Sequence, residues 1–406
     1  MNINLLGLPI TNLKNNEVNE LLVDFLNSNK PHQIATINPE FLVDAEKNEE
    51  FYYTLTQCDL NVPDGIGLIY AARLFGEKIY RYTGVDLFLK LCEIAKKNNK
   101  GVYLLGGEKG SVFSVANKLN QIFPGLKICG ADEGMSRSEW KNNFKENNQK
   151  IIQRIKSSKA EILFVAFGHP KQDIWISRNL KLLPNIRVAV GVGGTFDFIS
   201  GKAKRAPFIF RRIGLEWLWR LILEPWRWKR IYKAIIKFPA MALRWKFIRP
   251  YLYRPNVACM LYKKFEQSIK ILIVKRRGED HWQIPQGGTD GQDIETAGLR
   301  ELHEELSITK IGKRFTFKNQ FKYKFNDTNN STKIKRISGY RGQKQGLLIA
   351  ECLGDDQNIK INYWDHDQWR WVGINEFIDA LHPIRKESGL VFLKKIKSLI
   401  EANKID

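Results

Sequence analysis

Cysteine is scarce in this 406-residue chain: Cys58, Cys92, Cys129, Cys259 and Cys352 are scattered, with no C-x-x-C. That spacing speaks against a disulfide scaffold or a zinc site and suits free thiols in a reducing compartment. Long apolar runs are missing too. No uncharged stretch approaches the roughly 18 residues a membrane-spanning helix needs. Met1-Asn2-Ile3-Asn4 puts no basic residues ahead of its apolar ones, so no secretory signal is expected. Acids are outnumbered, 43 Asp and Glu against 65 Lys and Arg, leaving a net charge of +22. No D-x-D metal motif occurs before residue 250, and there is no internal repeat or low-complexity linker. What is present is a hydrophobic content of 43% and length enough for two domains, each with its own core.

The positive charge is unevenly placed. From Lys202 to Arg249 fourteen Lys and Arg face only Glu216 and Glu224, so this window alone supplies +12. It also holds five of the eleven tryptophans, Trp217, Trp219, Trp226, Trp228 and Trp245. A basic segment loaded with tryptophan matches the surface of an anionic membrane, where rings sit at headgroup level and cations meet phosphates.

Residues 1–202 alternate helical and strand signals. Val18, Leu21, Leu22, Phe25 and Leu26 have amphipathic-helix spacing, and short apolar runs follow at His32–Ile37, Val102–Leu105, Ile162–Phe167 and Val188–Val192. Repeated strand, turn and helix predict an α/β domain with a mostly parallel, Rossmann-like sheet, binding ligands beyond the carboxyl ends of its strands. Residues 203–249 read as a helical basic tail that Pro207, Pro225 and Pro239 divide into short pieces. Residues 250–406 read as an α+β domain, with strands at Val257–Leu261 and Ile271–Val274 ahead of an acidic helix.

Four turns of the first domain carry unusual residues: Thr36-Ile37-Asn38-Pro39-Glu40, Asn61-Val62-Pro63-Asp64-Gly65-Ile66-Gly67, Gly168-His169-Pro170-Lys171-Gln172-Asp173 and Gly191-Val192-Gly193-Gly194-Thr195-Phe196-Asp197. Gly106-Gly107-Glu108-Lys109-Gly110-Ser111 has the same design. Their glycines let backbone approach a ligand, and helix N-termini after them offer N–H groups to phosphate. Singly, each is compatible with turn chemistry alone. Together with Gly214-Leu215-Glu216-Trp217-Leu218-Trp219-Arg220 and Glu224-Pro225-Trp226-Arg227, they resemble the WecG/TagA/CpsF family. These are inverting glycosyltransferases that add N-acetylmannosamine to a lipid-linked N-acetylglucosamine.

The likeness spans roughly residues 1–245. It implies a UDP-sugar donor, an undecaprenyl-diphosphate-linked acceptor and no cofactor in this domain. It also implies a cytoplasmic enzyme, peripheral on the inner face of the plasma membrane. Asp64 becomes the candidate general base, with Thr36, Asn38, Gln172, Gly193 and Gly194 around the pocket; Asp173 stands where the family has Glu. Inversion needs one carboxylate to take the proton of the attacking hydroxyl. Without a D-x-D metal, the leaving diphosphate must be met by helix N-termini and arginines. Arg81, Arg220, Arg227 and Arg230 are the candidates; contact with lipid headgroups is the competing role for the last three.

The second domain offers Arg300-Glu301-Leu302-His303-Glu304-Glu305. On a helix, Glu301, Glu304 and Glu305 share one face, and carboxylates so crowded ask for a cation. Upstream lies the apolar strand and glycine turn Trp282-Gln283-Ile284-Pro285-Gln286-Gly287-Gly288, and Leu299, Leu302 and Leu306 form the opposite, apolar stripe. This resembles the Nudix hydrolase box, G-x5-E-x7-R-E-U-x-E-E-x-G-U. Gln292 stands in place of its first Glu and Ser307 in place of its last Gly. Tyr253-Arg254-Pro255-Asn256-Val257, Gly342-Gln343-Lys344-Gln345 and Trp369-Arg370-Trp371-Val372 are similar to the branch of RNA pyrophosphohydrolases and dinucleoside polyphosphate hydrolases. The resemblance implies Mg2+ or Mn2+ on Glu301, Glu304 and Glu305, a further carboxylate at Asp365, and a nucleotide or RNA 5′ end as substrate. Arg254, Arg276 and Arg277 are candidate phosphate contacts or simply solvated strand-edge cations.

The reading is therefore a bifunctional enzyme, with homo-oligomerisation left open. One rival keeps the transferase and makes the Nudix domain a nucleotide-sensing module. Another makes the basic tail an RNA-binding arm of an RNA pyrophosphohydrolase.

Overall fold

A computed structural model describes residues 2–204, 206–207, 210, 215–265, 268–325 and 339–405. It forms two compact units, Met1–Lys246 and Phe247–Asp406. Gly214 of the tail motif and Arg205, Arg211 and Arg212 of the basic window lie outside the described residues.

In the first unit β1 (Asn2–Leu5) and β2 (Leu8–Thr11) make a small antiparallel pair. Helix α1 (Asn15–Asn27) leads to β3 (His32–Ile37), and α2 (Pro39–Ala45) and α3 (Glu49–Gln57) lead to β4 (Leu60–Pro63). Next come α4 (Ile66–Leu74), α5 (Gly84–Lys97), β5 (Val102–Gly106), α6 (Ser111–Ile122) and β6 (Ile128–Asp132). Then follow α7 (Arg137–Asn142), α8 (Phe144–Ser157), β7 (Ile162–Ala166), α9 (Lys171–Asn179), β8 (Val188–Gly191) and α10 (Thr195–Ser200). Six strands pair in the order β4-β3-β8-β7-β5-β6, all parallel. The central strands are apolar on both faces because helices cover both. Ile34, Val62, Leu104, Phe164 and Val190 pack against α1, α5 and α6. Leu105, Leu163, Val165 and Ala189 pack against α8 and α9.

The tail is α11 (Glu216–Leu223), a 3-10 turn (Pro225–Arg227), α12 (Trp228–Tyr232), a π-helical turn (Lys233–Lys237) and α13 (Phe238–Phe247). Pro225 separates helices as expected. Pro239 does not: the helical path runs continuously past it. Proline in a helix lacks an N–H and crowds the carbonyl four residues back, and the widened π turn ending at Lys237 accommodates it. Phe238, Met241 and Ala242 are buried in one cluster with Phe41, Leu68 and Ala71, so this part of the tail belongs to the core.

The second unit runs β9 (Tyr253–Phe265), β10 (Ser268–Arg276), β11 (Trp282–Gln283), β12 (Gln286–Gly288) and α14 (Ile294–Leu306). It continues with β13 (Ile311–Lys324), β14 (Gly342–Cys352), β15 (His366–Gly373), α15 (Phe377–Ala380) and α16 (Pro383–Glu401). The sheet is mixed: β9 and β14 pair in parallel, the other ladders antiparallel. Trp282–Gly288, expected as one strand, is two, because Pro285 has no N–H for a ladder; its carbonyl accepts from Cys259 N–H at 2.8 Å instead. One face packs Val257, Cys259, Leu348 and Ala350 on Leu302 and Leu306 of α14. The other packs Ala258, Met260, Leu347 and Ile349 on Phe392 and Ile396 of α16.

The Phe88 ring is fully buried, 4.5 Å from Phe164 and 6.0 Å from Phe196 between centroids. Phe88→Ala is expected to cost about 3–5 kcal/mol, read as a lowered urea midpoint of the first unit. An unmoved midpoint would contradict this packing.

Candidate functional site

The carboxyl ends of β3, β4, β7 and β8 open into one cleft of about 1100 Å³. Every first-domain candidate lines it: Thr36, Asn38, Asp64, Arg81, Gln172, Gly193, Gly194, Arg220, Arg227 and Arg230. Local chemistry explains the convergence. Asn38 caps α2, its Oδ1 accepting from the N–H groups of Glu40 at 2.9 Å and Phe41 at 3.4 Å. Thr36 Oγ1 donates to the Gly191 carbonyl at 3.2 Å, tying β3 to β8. Gln172 Oε1 accepts from Gly193 N–H at 3.0 Å. Gly191 must be glycine: a Cβ there would lie 2.6 Å from Gln172 Nε2 and 2.7 Å from Asp173 Oδ1.

Asp64 is half-buried. Its backbone carbonyl accepts from Arg81 Nε at 2.6 Å, and its carboxylate lies beside Gly84, whose N–H at the start of α5 is directed to it. Burial pushes the Asp64 carboxyl up to about 6, against the opposing pull of Arg81 and the Gly84 hydrogen bond. Asp173, one step outside the cleft lining, is fully buried, and burial raises it to about 7.

The tail forms a wall of this cleft. Glu216 Oε2 pairs with Arg81 Nη2 at 3.2 Å, Arg230 Nε with Glu40 at 2.9 Å and Lys233 Nζ with Asp44 at 2.6 Å. Arg227 lies between Glu224 and Asp197. Arg220 is set differently. Its guanidinium sits 4.2 Å above the Phe198 ring, beside Gly194. Among the described residues its Nε and Nη2 have no hydrogen-bond partner. Buried donors without acceptors are costly, and an anion in the cleft would relieve that cost.

His169, Glu40, Asp44 and Lys233 were not singled out by sequence. His169 Nε2 lies 3.1 Å from Asp44 Oδ2, and its ring stacks on Phe41 at 4.8 Å. Burial works to raise Asp44, but hydrogen bonds from His169 and Lys233 outweigh it and hold the carboxyl below its ordinary value. The Gly106–Ser111 loop does not line the cleft. Its Gly110 N–H donates to Glu133 Oε1 at 2.6 Å, so a carboxylate of the protein already meets the N-terminus of α6.

In the second unit, Glu301 and Glu305 are buried and Glu304 exposed. Arg300 gathers this face: Nη2 lies 2.9 Å from Glu301 and 2.6 Å from the Gly288 carbonyl, Nη1 3.0 Å from Glu304, and Nε donates to Gln292 Oε1 at 3.0 Å. Gln292 thus keeps a hydrogen bond to Arg300 without the charge. Ser307 ends α14 at φ +58°, the left-handed conformation that favours glycine. Gly287 packs so closely on Glu301 that a Cβ would lie 2.0 Å from the carboxyl carbon. Arg254 sits beside this turn, its Nη2 2.9 Å from where a Gly288 Cβ would be.

Asp365 accepts from Asn362 Nδ2 at 3.3 Å. The next residue, buried His366, lies 3.2 Å from Glu305 Oε2 and was missed because an isolated histidine at a strand start carries no motif. Arg276 pairs with Glu279 and Arg277 with the Tyr363 carbonyl. As they lie, no three His, Cys, Asp or Glu among the described residues converge on one point. The donor set, carboxylate oxygens against a glycine cradle, nonetheless fits a hard divalent cation in kind.

A model of the glycosyl transferase WecG/TagA/CpsF family matches residues 3–251. The chain belongs to that family. A NUDIX domain model matches residues 252–392, so this glycosyltransferase also carries a Nudix hydrolase domain. N-acetylglucosaminyldiphosphoundecaprenol N-acetyl-beta-D-mannosaminyltransferase of Bacillus spizizenii strain W23 is 34% identical over 228 residues, 56% of this chain and 84% of that protein. The enzyme of the same name from Bacillus subtilis strain 168 is 33% identical over 236 residues, 88% of its length. A C. elegans Ap4A hydrolase structure is 20% identical and aligns with 37% of this chain and 98% of its own, at a TM-score of 0.28. Among the described residues of this chain, no helix is long and apolar enough to cross a membrane.

A base must be ionised to accept a proton, so with Asp64 as the base a carboxyl at about 6 is expected to set the acid limb of transfer. Below that pH, kcat/KM of transfer should fall about tenfold per unit. A profile flat down to pH 5 would rule Asp64 out as the base.

Proposed function

We propose that the first unit transfers N-acetylmannosamine, or a related hexose, from a UDP-sugar to undecaprenyl-diphosphate-N-acetylglucosamine with inversion. One observation carries this reading: Asp64, raised toward neutrality by burial, shares a cleft with Arg220, whose Nε and Nη2 have no hydrogen-bond partner among the described residues. The acceptor hydroxyl attacks the anomeric carbon and gives its proton to the Asp64 carboxylate. The bond from that carbon to the nucleotide diphosphate breaks, and UDP leaves with the electron pair. Arg220, with the glycine turn at Gly193 and Gly194, is placed to meet the developing charge. The names of the Bacillus relatives support the same transferred sugar and the same acceptor class.

The tail also supports membrane docking. Trp226 is 73% exposed, and Ile222, Trp228 and Ile236 are exposed beside Lys229 and Lys237. Apolar rings and lysines together suit the inner face of an anionic bilayer. We read residues 203–249 as a docking tail and cleft wall in one.

For the second unit the reading is hydrolysis of a diphosphate linkage in a dinucleoside polyphosphate or a 5′-triphosphate RNA. Glu301, Glu304 and Glu305 would hold Mg2+ or Mn2+, with Arg254 toward the phosphates. The bound cation would activate water and neutralise phosphate charge.

Asp64→Asn should lower kcat of sugar transfer by about 10²–10⁴-fold, with KM for the UDP-sugar little changed; retained turnover would remove the assignment. Glu304→Gln, at an exposed position, should abolish metal-dependent release from dinucleoside polyphosphates or triphosphate RNA without unfolding the second unit. If wild-type protein shows no such hydrolysis across a metal series but still binds nucleotide, the domain is a sensor instead.

A further inference from the structure

The transferase cleft does not end at its polar site. It is also lined by α4 and the tail helix, whose contribution is largely apolar. Ala71 and Ala242, 5% and 3% exposed, form a floor of small side chains. Tyr70 and Leu243, 58% and 50% exposed, stand at the rim, with Leu74 and Ile235 between. Small residues below and large exposed apolar ones above describe an open groove. Soluble surfaces seldom keep such a strip without an occupant.

A nucleotide sugar has no apolar part long enough to use it. The acceptor named for the Bacillus relatives does, since its diphosphate joins a sugar to a polyisoprenyl chain. Asp64, the cations Arg230 and Lys233 and the apolar strip all line this one cleft, so a hydroxyl, a diphosphate and an apolar chain of a single molecule each find matching chemistry in it.

We propose that the groove between α4 and the tail helix holds the first isoprene units of the lipid acceptor, so that the enzyme selects acceptors by their chain as well as their sugar. This rests on the transferase reading above. The groove then draws the chain's head end out of the bilayer and fixes the distance from lipid to Asp64. Recognition is by apolar burial, so it favours a branched, unsaturated chain filling the strip over a short alkyl stem.

The test compares two acceptors in detergent micelles, with no bilayer present. One is undecaprenyl-diphosphate-N-acetylglucosamine; the other carries the same head on a short alkyl chain. The full-length protein should prefer the first in kcat/KM, and Tyr70→Glu and Leu243→Glu should each cut that preference by about tenfold or more. Both positions are at the exposed rim, so neither change empties the core, and thermal melts matching wild type verify folding. Equal kcat/KM for the two acceptors in wild type, or an undiminished preference in both variants, overturns the groove while leaving the transferase intact. Transfer to neither acceptor by wild type sinks the transferase reading itself, and the groove with it.

Discussion

Charge pairing between the tail and the sheet domain is the constraint on which the first unit's site depends. Arg81 with Glu216, Glu40 with Arg230 and Asp44 with Lys233 are the fixed points between the sheet domain and its basic extension. Partly exposed pairs of this kind contribute about 1 kcal/mol or less each, too little to hold a helix alone. Burial of Phe238, Met241 and Ala242 supplies the larger part. The pairs set where the helix lies, and so which arginines face the cleft.

The two units solve the problem of anionic substrates differently. In the first, arginines and Lys233 line the cleft, and among the described residues Arg220 Nε and Nη2 have no hydrogen-bond partner. In the second, carboxylates crowd one helical face and a single arginine spans them. Exchange of Gln for Glu at 292 removes one negative charge from Arg300's surroundings, while Asp290 stands 3.4 Å from the same guanidinium. The arginine therefore keeps a full set of acceptors despite the altered motif.

Much of this was legible in the sequence because it is periodic or local. The run His32–Ile37 is a strand with those bounds, and Val18, Leu22 and Leu26 are the buried stripe of α1. The turns carrying Asn38, Asp64, Gln172 and Gly193 follow parallel strands, and parallel strands bring their carboxyl ends together. What was not legible depends on contacts between distant segments. His169 lies in one of the motif turns, but its partner Asp44 is 125 residues away, and His366 follows the candidate Asp365 but meets Glu305 of α14; neither pairing leaves a mark in the local sequence. Pro239 misled for a related reason. Local rules say that proline stops a helix, but the π turn before it and the burial of Phe238 beside it keep the path intact.

That π turn has a consequence for the tail's phase. A helix advances about 100° per residue, so one extra residue in a turn rotates everything after it by that angle. Arg230 and Lys233 come before or at the start of the turn and face carboxylates; Phe238 and Ala242 come after it and face the core. The turn acts as a gear between two faces that a regular helix could not present in the same direction. Loss of Ala234 alone would leave the charge untouched, yet swing the cations away from their partners while the apolar side stays seated.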